Sequence, residues 1–338
     1  MKTLTCTAPG QLDYRTDSLP ALQPGHAIIR VTRIGICGTD LHAYEGTQPY
    51  FSYPRVLGHE LAGELVEVDG DTGFVPGEAV TIMPYFHCGR CIACRVGKTN
   101  CCERMQVCGV HIDGGMTEYL MVPAYALLHG HGLTYDELAL VEPLAIGVHG
   151  LRRAGVQAGE HVLVVGAGPI GLGIIAFAQL AGAQVTALDV NDSRLGFCRQ
   201  QLGLTRTVNP RTEEAHQAIS AYTGGDMPTV IIDATGNLNA IEQSFSYLAH
   251  GGRYVLVGLQ RQLISFSHPE FHKREATLMS SRNATRADFD QVIDAIRAGH
   301  IEASSYITHR VLFDQVGEQF SSWLDPDTGV IKAMVSLP

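Results

Sequence analysis

The chain has 338 residues, a hydrophobic share of 45%, a charged share of 17% and a formal net charge of −10. That length accommodates two domains with two cores, and the acidic balance argues against nucleic acid or an anionic membrane surface as a partner. No apolar run reaches the ~20 residues of a transmembrane helix, and the start Met1-Lys2-Thr3-Leu4-Thr5-Cys6 lacks the pattern of a signal peptide.

The expectation is a soluble, cytoplasmic protein. Its nine cysteines agree with a reducing compartment: the number is odd and four of them cluster. Cys6, Cys101, Cys108 and Cys198 are then free thiols.

Residues 1 to about 125 read as short strands divided by turn chemistry. His26 to Ile34, Glu60 to Val68 and Glu78 to Met83 are rich in Val and Ile, and Pro24-Gly25, Asp69-Gly70 and Pro76-Gly77 punctuate them. Within this β domain the stretch Gly35-Ile36-Cys37-Gly38-Thr39-Asp40-Leu41-His42 gathers a thiol, a hydroxyl, a carboxylate and an imidazole. If the residues after Gly38 turn helical, Thr39 and His42 share a face, and Cys37 and Asp40 share the next. A metal-bound thiolate beside a hydroxyl–imidazole pair suits alcohol oxidation, which needs a Lewis acid and a path for one proton. Gly58-His59-Glu60 offers further ligands, and so does Glu142-Pro143. A catalytic zinc takes three protein ligands and an open place. Cys37 and His59 are the firm pair; Glu60 and Glu142 compete for the remaining place. Asp40 is expected to accept the free ring N–H of His59 and so fix its tautomer.

Next in the chain comes Cys88-x2-Cys91-x2-Cys94-x7-Cys102, four thiols in one lobe, which fits a closed tetrahedral structural zinc. Cys101 competes with Cys102 on spacing alone. Thr134 to Glu137 then fits a capping box ahead of an apolar run, and Pro143 is expected to set Glu142 at a break in the backbone before a helix over Leu144 to Arg153.

From His161 the rhythm becomes strand, helix, strand, which implies a parallel sheet with helices on both faces. The strand His161 to Val165 runs into Gly166-Ala167-Gly168-Pro169-Ile170-Gly171 and a helix to Ala181, and Asp189 ends the next strand. In that context the glycines read as a dinucleotide fingerprint, with the pyrophosphate at the helix N-terminus. Asp189 would accept the adenosine ribose hydroxyls and repel a 2′-phosphate, so NAD is favoured over NADP. Arg194 is a further candidate on the adenosine side, and Val257-Gly258-Leu259 on the nicotinamide side. A helix from Asp288 to Ala298 and a strand-like Gly329 to Val335 complete the pattern.

These residues in this order resemble the zinc-dependent medium-chain dehydrogenase/reductase family, in its polyol and threonine dehydrogenase branch. GICGTDLH, YPRVLGHE, the four-cysteine lobe, DGGMTEYL, VEP and VVGAGPIG carry the likeness along the whole chain. It implies an α/β two-domain fold: a GroES-like β catalytic domain at 1–146, a Rossmann NAD domain at 147–282, and a return to the catalytic domain at 283–338. It also implies two zinc ions per chain. Cys37, His59 and Glu60 or Glu142 would hold the catalytic one; Cys88, Cys91, Cys94 and Cys102, in the family's register, would hold the structural one. Thr39 and His42 would form the proton relay, and the chain would assemble as a homodimer or homotetramer. Where the alcohol dehydrogenase branch has a third cysteine ligand, this chain has Glu142, which looks like the polyol branch.

Three longer stretches, 48–60, 99–115 and 267–285, look like bacterial hexonate 5-dehydrogenases of the L-galactonate and L-gulonate group, with Ser280 where that group has glycine. The resulting expectation is NAD-dependent oxidation of a sugar-acid hydroxyl. The rivals are a neutral polyol dehydrogenase, a threonine 3-dehydrogenase, or a regulatory protein that binds the cofactor without turnover. A sugar acid needs a fixed cation, and Arg282 is the leading candidate, with a cofactor contact as its other role. Lys273, Arg274 and Arg55 are further candidates.

Overall fold

The computed structural model describes residues 1–338, which divide into two compact units, 1–143 with 285–338, and 144–284. In the first unit the strand His26–Gly35 is the hub of a seven-stranded sheet. It pairs antiparallel with Glu60–Val68, with Tyr119–Pro123 and with the C-terminal strand Lys332–Ser336. Its burial is almost continuous because neighbours cover both faces, so the Val- and Ile-rich run HAIIRVTRIG is what such a position demands. The C-terminal segment supplies core as well as strands. Phe313, Val316, Phe320 and Trp323 are buried in one cluster with Leu4, Ile29, Ile34, Leu57, Leu61 and Leu65.

This β unit also carries the helix Gly38–Glu45, which Cys37 opens and Gly46 closes with a left-handed φ of 78°. A break between two helices falls at Leu140, where Tyr135–Ala139 ends. Glu142 is therefore not at the break. It lies in the first turn of the next helix, Val141–Ala154. Pro143 is tolerated there because a first-turn N–H has no intrahelical partner to lose.

The second unit is a six-stranded, wholly parallel sheet. Its spatial order is 207–208, 184–188, 161–165, 230–233, 253–256, 277–280. The order reverses beside the strand His161–Val165, the place where sheets of this kind bind ligands at their carboxyl ends. The short strand Thr207–Val208 and the helix Ala215–Tyr222 lie in a stretch where the sequence gives no clear periodic signal. No helix of the protein is long and apolar enough to cross a membrane.

Phe320 is fully buried and its ring packs on Tyr44 and Trp323. Phe320→Ala should therefore lower unfolding free energy by about 3–5 kcal/mol, read from urea denaturation, as cavities left by deleted aromatics do. A loss of a few tenths would mean that the C-terminal segment is not part of the core.

Candidate metal and cofactor sites

The ligand atoms of Cys37, His59 and Glu60 lie within 4.8 Å of one another. Cys37 is the cap of the helix Gly38–Glu45, His59 precedes the strand Glu60–Val68, and Glu60 is its first residue. Asp40 ties the two segments together. Its carboxylate, fully buried, accepts the backbone N–H of Cys37 at 3.0 Å and that of Gly58 at 3.1 Å. Nδ1 of His59 lies 3.6 Å from Asp40 Oδ1, beyond hydrogen-bond range, and has no other partner. With Nδ1 facing the carboxylate, Nε2 is the ring atom left for a metal. A thiolate, an imidazole and a carboxylate form a donor set that suits zinc. The imidazole is 5% exposed and hydrogen-bonds the Cys37 side chain, so a nitrogen and a sulfur donor already meet in a buried place.

Burial works against the His59 imidazolium, but the charges of Asp40 and Cys37 outweigh it and hold its pKa well above the ordinary value. Burial raises Asp40, with His59 opposing. Glu142 is also buried; its Oε1 accepts the hydroxyl of Tyr85. Desolvation pushes its carboxyl up to about 7, against the pull of His59.

Two residues of this site lack any strong sequence signal. Tyr85 is one. Lys332 is the other: 2% exposed, it places Nζ 2.6 Å from both oxygens of Glu60. A single Lys inside the apolar strand KAMVS was the available clue.

Thr39 is half-buried and His42 is 63% exposed on the same helix. Nδ1 of His42 lies 3.3 Å from Glu45 and 3.3 Å from Thr47 Oγ1, and no hydrogen bond joins His42 to Thr39. Cys88, Cys91, Cys94 and Cys102 form a second cluster with sulfurs within 4.8 Å, while Cys101 is exposed outside it. Backbone N–H groups of Cys88 and Arg104 donate to Cys102 Sγ, and those of Cys94 and Glu103 depress the pKa of Cys91, so the lobe is built for thiolates.

In the second unit the strand His161–Val165 ends in Gly166, at a φ of +96°, and the helix Pro169–Leu180 begins two residues after Ala167. A Cβ on Gly171 would stand 1.8 Å from the carbonyl oxygen of Gly166, so only glycine permits this turn. Asp189 follows the strand Gln184–Leu188. Its oxygens accept the N–H of Ala167 at 2.6 Å and of Asn191 at 2.8 Å, with Arg194 3.9 Å away. Asp189 is thereby fixed against the glycine turn. Backbone N–H groups of Val257 and Gly258 bond the Asp233 carbonyl, and Leu259 is exposed. Arg282 is exposed two residues past the strand Thr277–Ser280. Arg55 pairs with Asp113, and Lys273 and Arg274 both pair with Glu270.

Residues 23–131 match the alcohol dehydrogenase GroES-like domain and residues 169–298 match the zinc-binding dehydrogenase family. The chain is similar to L-galactonate-5-dehydrogenase of Escherichia coli, at 42% identity over 337 residues and 99% of each protein. It is 32% identical over 318 residues to 2-dehydro-3-deoxy-L-galactonate 5-dehydrogenase of Pseudoalteromonas atlantica, covering 93% of this chain and 92% of that one. The crystal structure of an alcohol dehydrogenase from Escherichia coli complexed with NADH matches with a TM-score of 0.93 at 29% identity, over 99% of each chain.

Glu142 gives these buried acids a pH signature in protein freed of metal. Its folded pKa, about 7, lies above the ordinary 4.5. The folded chain therefore holds that proton more tightly than the unfolded one, and stability falls as pH rises through this window. Glu142→Gln has no charge to desolvate. Its stability relative to wild type, from denaturant midpoints, should rise between about pH 5 and pH 8. A pH-independent difference would contradict the burial argument.

Proposed function

The chain belongs to the zinc-dependent medium-chain dehydrogenase/reductase family, and from that membership we propose that it oxidises the C5 hydroxyl of a hexonate to a ketone, with NAD as acceptor. Oxidoreduction at a CH–OH group is the family's chemistry; the hexonate, of the L-galactonate or L-gulonate kind, is the finer reading. The observation that carries the chemistry is the Cys37–His59–Glu60 cup, with His59 and Glu60 buried and Cys37 half-buried. The two 5-dehydrogenase relatives support the substrate class, since both names pair a galactonate-type acid with position 5.

When bound, zinc on Cys37, His59 and Glu60 or Glu142 supplies a Lewis acid toward a hydroxyl oxygen, and NAD supplies the hydride acceptor. The remaining work falls to side chains. Asp40 orients the His59 ring. Thr39 takes the hydroxyl proton as its own passes through a bridging hydroxyl to His42, which, exposed one turn on, gives a proton to water. The turn Gly166–Gly171 receives the pyrophosphate and Asp189 the adenosine ribose, with Arg194 beside it. Arg282 reads the substrate carboxylate. It stands just past the carboxyl end of a parallel strand, the end at which such sheets meet their ligands, and its planar fork matches a carboxylate.

Two experiments test this. In the first, metal analysis should find two zinc ions per wild-type chain, and Cys37→Ala should lose one of them with nearly all activity while staying folded. Cys91→Ala should instead lose soluble yield, because structural zinc binding is folding free energy. Retention of both metals by Cys37→Ala would refute the cup.

The second is NAD+ reduction over a panel of aldonates, matching alditols and threonine. The wild type should prefer an aldonate to its alditol, and Arg282→Met should erode that preference about tenfold to a hundredfold, the worth of one charge-assisted contact. Preference for the alditol or threonine, or no turnover at all, would overturn the hexonate reading.

A further inference from the structure

The stretch 267–285 carries a pair of histidines that the scheme above leaves without a role. Ser267 precedes the short helix His268–Lys273, and Pro269 stands in its first turn, where a missing N–H costs nothing. Six residues do not hold a helix by themselves. Phe271 anchors this one: its ring meets those of Phe245 and Phe266 at 6.1 Å and 5.0 Å. His268 and His272, four residues apart and both exposed, then lie one above the other on the helix surface. Their ring centres are 5.9 Å apart, and neither imidazole has a hydrogen-bond or ion-pair partner. Glu270, between them in sequence, pairs with Lys273 and Arg274 instead.

We propose that His268 and His272 chelate one transition-metal dication of the nickel, copper or zinc kind, with water in its remaining places. Imidazole suits these ions. An ion about 2.0–2.1 Å from a nitrogen of each ring leaves the ring centres at most roughly 6.4 Å apart. The spacing present here therefore needs only side-chain rotation to close on it. Once one imidazole has bound, the second binds within the same molecule, which is worth on the order of 10²-fold over a lone histidine. Two protein ligands are fewer than the three or four of a catalytic or structural zinc. The ion is accordingly exchangeable and adds nothing to the tightly held zinc counted above. The site shares no residue with the Cys37–His59–Glu60 cup and stands or falls apart from the hexonate reading.

Nickel(II), which does not oxidise thiols as copper(II) does, is the probe. It is titrated calorimetrically into the zinc-loaded protein, and nickel and zinc per chain are counted after equilibrium dialysis. The proteins compared are wild type, H268A, H272A and H272A/K273H. The last keeps the number of histidines and breaks their four-residue spacing. Wild type should bind one nickel per chain, at unchanged zinc, that all three variants bind about 10²-fold more weakly. Wild-type affinity in H272A/K273H would show histidine density without chelation, and overturns the inference. Equal affinity in wild type and H268A overturns it too, as does nickel that enters only as zinc leaves. The substituted side chains are exposed, so circular dichroism without nickel should be unchanged. Should one single variant not fold, the other decides by the same comparison.

Discussion

A carboxylate with no exposed surface must have its charge met inside the protein, and Glu60 meets that need through Lys332, 272 residues later in the chain. Removing one partner of such a pair costs roughly 3–5 kcal/mol, because the other charge is left stranded. The topology of the first unit follows from this demand. The chain leaves to build a separate unit, then must come back to lay Lys332–Ser336 beside the hub strand His26–Gly35. Ala333, Met334 and Val335 bury the strand, so an apolar segment carries the ammonium in. On the other side Gly35 stands directly across from Glu60 in the ladder, and its missing side chain makes room for the carboxylate.

The other acids of the cup are satisfied in different ways, and the differences set what each can do. Asp40 is held by two backbone donors, the N–H of Cys37 at the helix start and that of Gly58 just before the next strand. It is therefore fixed in place, and at 3.6 Å from His59 Nδ1 its charge acts on that ring through space. Glu142 is held by one phenol, a neutral donor, and burial leaves it close to taking up a proton at neutral pH. Glu60 is held by a full positive charge. Three buried carboxylates in one unit are thus graded in availability by backbone, phenol and ammonium, a form of preorganisation that a ligand list would miss.

Legibility in the sequence followed the range of the interaction. The cysteine lobe and the glycine turn were readable because spacing in the chain fixes their geometry. Four sulfurs within fifteen residues must meet if they bind one ion, and Gly171 must be glycine because Gly166 is five residues away. The fold class was readable for the same reason, since strand–helix alternation is a local pattern. Lys332 was not, because its meaning depends on a partner at the far end of the chain. Glu142 was half-readable: Pro143 marks a boundary, but proline is tolerated throughout the first turn, so it does not fix whether the preceding residue falls before the helix or within it. The stretch from Thr207 to Tyr222 defeated periodicity because the strand is two residues long and the helix eight.

The hexonate proposed above would pose a separate electrostatic problem for a chain with net charge −10. Taken as a whole, the field of the protein opposes the approach of a carboxylate. Salt limits that opposition, since the Debye length is about 8 Å at physiological ionic strength and charges beyond it are largely screened. What a small anion feels near any part of the surface is therefore set by the few charges within about that distance. Arg55 is paired with Asp113, and Lys273 and Arg274 with Glu270, so the field around each is that of an ion pair. Net charge is consequently a poor guide to substrate in this fold. On the proposed reading, preference for acid over neutral polyol would rest on single side chains apart from the cup of Cys37, His59 and Glu60.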